Sequence, residues 1–169
     1  VPGSELIVPG SYSAGRNPLA LGTPAAPYTD SSRSGTSQSN KASPSVANTA
    51  ATLLNGIAGT DSISSNFIAG DTITVNGQTI TFMTTGAVGN NQINITDNVG
   101  TLLGKIDALQ GTSVASTIAS GSITLHSGTA SNLSVSSSNS TAFAALGFTG
   151  TVTATRGGGG GVGTGQVVG

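Results

Sequence analysis

The feature that most constrains the fold is an alternating segment, residues 71–82, with an Asn-Gly pair at its centre. Asn76-Gly77 is the preferred pair for a two-residue type I′ turn, and threonines alternate with apolar residues on both sides of it. A turn at this pair places Val75 opposite Gln78, which puts every apolar residue of the segment on one face. We therefore predict a β-hairpin. The side chains expected to form its buried face are Ile73, Val75, Ile80 and Phe82.

A second pattern, with apolar residues at i, i+3, i+4, i+7 and i+10 from Val99, predicts an amphipathic helix. Thr96 or Asp97 can cap its start, and Gly111 can end it. We expect its apolar face to pack against the hairpin. The residues predicted to form that face are Val99, Leu102, Leu103, Ile106 and Leu109.

Weaker patterns complete the predicted fold. Apolar residues at helical spacing between Val46 and Ile57 predict a short helix, and a helical turn is expected from Ala142 to Leu146. The remaining alternating runs predict strands at residues 93–95, 114–118, 122–126, 133–135 and 151–155. The fold class is therefore α+β and mainly β, with antiparallel hairpins packed on one or two short helices.

Composition divides the chain into three parts. Of the 38 Leu, Ile, Val and Phe residues, 28 lie in residues 53–155. We predict a compact module at 46–155, with its core at 60–155. Residues 1–45 carry prolines and a Ser-rich stretch, with apolar alternation only around Leu6-Ile7-Val8, and are expected to be an extended linker or a surface-draped segment. Residues 156–169 are expected to be a Gly-rich linker, within a longer parent protein.

Charged residues are scarce, at 7% of the chain against about 25% in an ordinary domain. Five Lys and Arg residues cannot form the clustered basic surface that nucleic acid requires, so no nucleic-acid partner is expected. No apolar run reaches the roughly 20 residues that span a bilayer, so no membrane insertion is expected.

The same scarcity limits chemistry. His126 is the only imidazole, and its position after Leu125 in an alternating run favours an ordinary strand residue over a catalytic base. There is no Cys and no Asp-x-Asp pattern for a cation. The glycines at 158, 160 and 163 fit a dinucleotide fingerprint only as letters. We therefore predict no enzyme and no catalytic, cofactor-binding or metal-binding residues.

The order of the patterns resembles a small module of bacterial flagellar proteins. It consists of the Gly70–Gly77 hairpin start, the helix ending at Leu103–Leu109, the Ile123–Ser127 strand and a closing Ala145–Phe148. Such modules occur in flagellins, hook-associated proteins and hook proteins, usually with Ile-Asn where this chain has Ile106-Asp107. The opening residues 1–6 also resemble the chain that leaves the inner domain of some hook proteins, which favours a hook protein over a flagellin.

The resemblance implies a structural, non-catalytic outer domain of a flagellar subunit, most simply of the hook protein, and an extracellular location. Its implied partners are copies of itself in a helical homopolymer and other flagellar axial proteins, in a flexible tube that serves motility. A flagellin outer domain and an adhesin-like binding module remain alternatives. The adhesin would need a ligand groove with aromatic or Asn/Asp clusters, and the predicted core has four Phe, no Tyr and no Trp.

Overall fold

The computed structural model describes residues 27–159. They belong to two compact units. The larger unit is Asp30–Arg156, and residues 27–29 and 157–159 belong to the other. Residues 1–26 of the predicted extended segment, and most of the predicted linker 156–169, lie outside the described residues.

The described chain contains ten strands and two helices. The strands are β1 Tyr28–Thr29, β2 Ser32–Ser34, β3 Thr72–Val75, β4 Gln78–Met83, β5 Gln92–Asn94, β6 Thr117–Ala119, β7 Ser122–His126, β8 Leu133–Ser137, β9 Val152–Ala154 and β10 Gly157–Gly158. The helices are α1 Val99–Gln110 and α2 Ser140–Ala145. Strands outweigh helices, which confirms the predicted class of a mainly β, α+β fold.

Strands β3 and β4 form the hairpin in the predicted register. Val75 faces Gln78 and Ile73 faces Ile80. Asn76 and Gly77 both adopt positive φ angles, of 51° and 83°. These are the angles that a type I′ turn requires of its two central residues. Local turn chemistry therefore determines the register of this part of the sheet.

The hairpin lies at the centre of a five-stranded sheet with the order β9-β8-β3-β4-β5. Strand β8 pairs antiparallel with β3 on one side and with β9 on the other. At the opposite edge, β5 pairs parallel with β4. The segment from residue 84 to residue 91 makes that parallel return within the same sheet, a connection that the alternating pattern alone did not indicate.

A second sheet has three strands in the order β2-β7-β6. β6 and β7 are joined by a two-residue turn, Ser120-Gly121, whose φ angles of 49° and 78° are again both positive. The third strand, β2, comes from within the predicted extended segment 1–45 and pairs with β7 along residues 32–34. The larger unit thus begins at Asp30, sixteen residues before the predicted boundary at residue 46.

Helix α1 begins and ends through specific caps. The side chain of Asn98 accepts a hydrogen bond from the backbone N–H of Thr101, so the predicted caps Thr96 and Asp97 were wrong by one or two positions. Asp97 instead accepts a hydrogen bond from the backbone N–H of Asn94. Gly111 ends the helix in the left-handed conformation at φ 78°, as predicted.

The predicted helix between Val46 and Ile57 was wrong. These residues form turns and isolated bridges, and Val46 and Ile57 are exposed at 55% and 78%. The segment makes its backbone hydrogen bonds outside itself, because Leu54 donates to the carbonyl of Asp97 and Leu53 donates to that of Asp61. Helical spacing of apolar residues here does not reflect one face of a helix, since tertiary hydrogen bonds decide the backbone path.

The hairpin and α1 share one hydrophobic core with the rest of the larger unit. Eight of the nine residues placed there by the sequence are buried, and Leu109 is partly buried against the core. The rings of Phe67 and Phe82 stack at 4.3 Å between centroids, with 6° between their planes. The sequence patterns did not place Phe67 or Ile63 in the core, and they placed Leu54, which is also buried, on the apolar face of a helix that does not form.

The residues that flank the larger unit pair with each other. Gly157 of β10 is the antiparallel partner of Thr29 of β1, and Gly158 is the partner of Tyr28. Since the larger unit runs from Asp30 to Arg156, the chain positions immediately before and after it are neighbours in one two-stranded ribbon.

Candidate functional site

The single imidazole is held by the first residue of the larger unit. His126 Nδ1 lies 2.6 Å from Asp30 Oδ2, and the backbone N–H of Gly128 donates to Asp30 Oδ1 at 2.7 Å. Both side chains are mostly buried, with 18% of His126 and 27% of Asp30 exposed. Among residues 27–159, no Ser or Thr hydroxyl is hydrogen-bonded to the ring. The pair fastens the start of the unit to the end of β7 and holds no nucleophile in position.

Each of the five described Asp side chains accepts hydrogen bonds from groups of its own unit. Asp107 accepts from the backbone N–H of Ser116 at 2.7 Å and from its hydroxyl at 2.5 Å, so α1 is tied to the segment that leads into β6. The other acceptor pairs are Asp61 with Asn40 and Thr52, Asp71 with Ile68 and Asn139, and Asp97 with Asn94. Within the described residues, no three acidic, His or Cys side chains come together as metal ligands.

Each of the four described cations likewise donates to backbone carbonyls, three of them to carbonyls of loops and Arg33 to a carbonyl of strand β9. Lys41 Nζ donates to Gly56 O at 2.5 Å and also contacts Asn66 Oδ1. The other donations are Arg33 to Thr153 O, Lys105 to Gly89 O, and Arg156 to Thr129 O and Ala130 O. Such bonds satisfy loop carbonyls that no strand or helix pairs. The charged side chains of this unit therefore hold loops, and one edge strand, in place.

A buried polar network joins the end of α1 to the hairpin turn. Gln110 is 3% exposed, and its amide nitrogen donates to Ser127 O at 2.6 Å and to Ser131 O at 2.9 Å. Asn76 Nδ2 donates to Gln110 Oε1 at 2.5 Å, and Asn76 Oδ1 accepts from the N–H of Ser134 at 2.8 Å. Sequence reasoning used Asn76 only as a turn residue and missed Gln110. Its place one residue past the last apolar position of the helix was the only sequence sign of burial.

One open groove lies between α1 and β6. Its volume is about 440 Å³. The groove is open on the helix side because Gly100 and Gly104 have no side chains. Asp107 at its wall is already bonded to Ser116. The other lining residues are Ala50, Leu103, Ala115, Ser116, Thr117 and Ile118. This surface can receive small uncharged groups and offers no free ionic partner.

Comparison with protein families, with curated proteins and with solved structures finds no match to this chain. In the described part of the chain, no helix has the length and apolar character needed to cross a membrane.

Proposed function

We propose that this chain is a structural, non-catalytic surface domain of a bacterial flagellar axial subunit, with the hook protein as the first candidate and flagellin as the second. The observation that carries the proposal is the pairing of Thr29 with Gly157. A unit whose flanking residues are neighbours in one ribbon suits insertion into a loop of a host domain, because the host need not open to accommodate it. An outer domain of a filament subunit needs this arrangement, since the host carries the polymerising surfaces.

The order of elements supports the same proposal. A hairpin, a capped helix and a strand pair follow one another in the order of the flagellar module that the sequence resembles. The residue at the module's usual Asn is Asp107, which here accepts two hydrogen bonds from Ser116. An Asn side-chain oxygen could accept at the same place. Such an Asn could accept one of the two bonds while its Nδ2 donated to the hydroxyl oxygen of Ser116, so either residue can tie α1 to Ser116.

The surface chemistry also fits a subunit that slides against its neighbours. The charged groups are bonded to other groups of their own unit, so a contact between copies would lack the strong ion pairs that hold one register. Exposed apolar side chains are single residues in loops, such as Ile68 at 57% and Val88 at 71%. Weak polar contacts of this kind let a tube bend without breaking.

The location of the protein on cells tests this proposal. Antibodies raised against the chain are used for immunogold electron microscopy of intact cells that encode it, with a deletion strain as the control. We expect gold on the short curved segment at the base of each flagellum. Labelling along the filament would assign a flagellin domain, labelling of the cell surface away from flagella would favour an adhesin, and either the latter result or a lack of specific label would overturn the flagellar proposal.

A further inference from the structure

Among residues 27–159, no strand pairs with the edge of β6 that faces away from β7, and this edge is called open here. β6 has one neighbour in its sheet, and Ile118 pairs there with Ile123. The carbonyl of Ile123 accepts from the N–H of Gly35 on the far side of β7, at 2.8 Å. Directly opposed residues of an antiparallel pair either bond to each other or both point away. The backbone N–H and C=O of Ile118 therefore point outward, along the groove beside α1.

Both outer strands of the five-stranded sheet, β9 and β5, are held by side-chain hydrogen bonds. At β9, the guanidinium of Arg33 bonds the carbonyl of Thr153 at 3.2 Å. At β5, the side chains of Asn94 and Gln92 accept from the backbone of Ala87 and Val88 in the preceding loop. β6 has only Thr117, Ile118 and Ala119, with no charge or proline to block an added strand.

We propose that an extended segment of a second copy of this chain, Ser4–Val8, adds as a strand to the open edge of β6 and places its side chains in the groove against α1. This inference rests on the proposed function and specifies one subunit contact. The outward-pointing backbone of Ile118 suits a partner with free backbone groups. The groove suits apolar side chains, because its one charged side chain, Asp107, is already bonded to Ser116. Both demands are met by an extended apolar segment.

The chain supplies one such segment outside the described residues. Ser4-Glu5-Leu6-Ile7-Val8 contains three consecutive apolar residues, two of them β-branched, between Pro2-Gly3 and Pro9-Gly10. Its three apolar residues with Glu5 are enough to run along the groove wall, which consists of the four residues from Ala115 to Ile118. Only Glu5 carries a charge, and it lies near the N-terminal end of the segment, two residues after Gly3.

The length of the intervening chain permits contact with a second copy. The 18 residues between Val8 and Pro27 extend to about 60 Å at most. A unit the size of Asp30–Arg156 has a radius of gyration of about 14 Å, so this length exceeds its diameter. A segment of one copy bound to a different surface of the next either is exchanged reciprocally in a closed dimer or continues from copy to copy as a ring or an open series.

Nuclear magnetic resonance of the ¹⁵N-labelled full chain tests the contact through a dilution series from millimolar to micromolar concentration. We expect the amide resonances of Ser116–Ala119 and of Gly104 to move together on dilution. Replacing Leu6, Ile7 and Val8 by Ser should abolish the movement, whereas Val167→Ser with Val168→Ser should retain it. Gly104→Leu should also abolish it by filling the groove, while Ala108→Leu, on the same helix but outside the groove, should not.

Each remaining outcome overturns the inference. If these resonances do not depend on concentration but shift when Leu6, Ile7 and Val8 are replaced, the segment binds within its own copy. If neither change moves them, the groove does not take this segment. Both results leave the flagellar proposal standing, because that proposal is decided separately by the location of the gold label.

Discussion

Asn76 donates its side-chain amide to Gln110 Oε1 over 2.5 Å, and this contact joins the turn of the central hairpin to the last residue of α1. The two residues are 34 positions apart in sequence. Gln110 also bonds the carbonyls of Ser127 and Ser131, so three separate chain segments meet at one buried amide. Burial of this amide is tolerated because its polar atoms find partners.

Gln110→Ala should therefore destabilise the protein by about 2–3 kcal/mol, because two carbonyls and the Asn76 amide lose a buried partner. Chemical denaturation followed by circular dichroism measures the loss. The matched control is Gln78→Ala. Gln78 is exposed, and its side-chain amide makes only a long hydrogen bond, of 3.5 Å, to the carbonyl oxygen of Leu109. The control should change the free energy of unfolding by no more than about 0.5 kcal/mol. Equal losses in both variants would contradict a special role for the Gln110 network.

The glycines of α1 should respond differently to alanine. At Gly104 an added Cβ meets no atom within 4 Å, so Gly104→Ala should stabilise the protein by about 1 kcal/mol through helix propensity. At Gly100 the Cβ would lie 3.3 Å from Ala50, so Gly100→Ala should gain less or nothing. Thermal melts of both variants, run beside the unsubstituted chain, measure the difference. A larger gain in stability from Gly100→Ala than from Gly104→Ala would show that Ala50 can shift to make room for the added Cβ.

A second glycine pair separates steric contact from backbone strain. Gly147 has φ 105° and its Cβ would lie 2.3 Å from the carbonyl oxygen of Thr36, so Gly147→Ala should cost about 3 kcal/mol or more. Gly86 also has positive φ, at 78°, but open space around it, so Gly86→Ala should cost only about 1–2 kcal/mol. Urea denaturation of the two variants provides the measurement, and equal costs would remove the steric explanation.

The Asp30–His126 pair should contribute a modest coupling energy. The two side chains are mostly buried and 2.6 Å apart, yet close to solvent, so we expect about 1 kcal/mol from a double-mutant cycle of Asp30→Asn and His126→Gln. Additive single substitutions, with no coupling at low salt, would show that Asp30 acts only through the Gly128 N–H.

The bounds of the larger unit predict which truncated fragments of the chain fold stably. A chain of residues 30–156 should fold on its own, whereas residues 46–155 should be much less stable because they lack β2. The lost contacts include the bonds of Ser31 with Ser127 and of Thr36 with Gly147. Dispersion of amide resonances and the midpoint of thermal unfolding distinguish the two fragments. Equal stability of the two fragments would mean that β2 contributes nothing to the free energy of unfolding.

The parts of the fold that the sequence predicted are those whose causes are local. Asn76-Gly77 determines its own turn, and the spacing from Val99 to Ile106 determines a helix face, so both could be read along the chain. The segment from residue 30 to residue 68 could not, because long-range polar contacts hold it. Asp30 reaches His126 across 96 positions, and the helical spacing between Val46 and Ile57 competes with hydrogen bonds to Asp61 and Asp97. The groove was also not predictable, since it needs α1 beside an open strand from a later hairpin.

The pairing of Thr29 with Gly157 has a consequence for any host chain into which this unit is inserted. Antiparallel partners place their Cα atoms about 5 Å apart. The two points at which a host chain would join the unit of Asp30–Arg156 are therefore no farther apart than the ends of a tight turn. The entropy of closing a host loop rises only by about 0.6 kcal/mol for each doubling of its length. A host with this junction could therefore exchange its outer unit for a larger, smaller or unrelated one while its own packing remained unchanged.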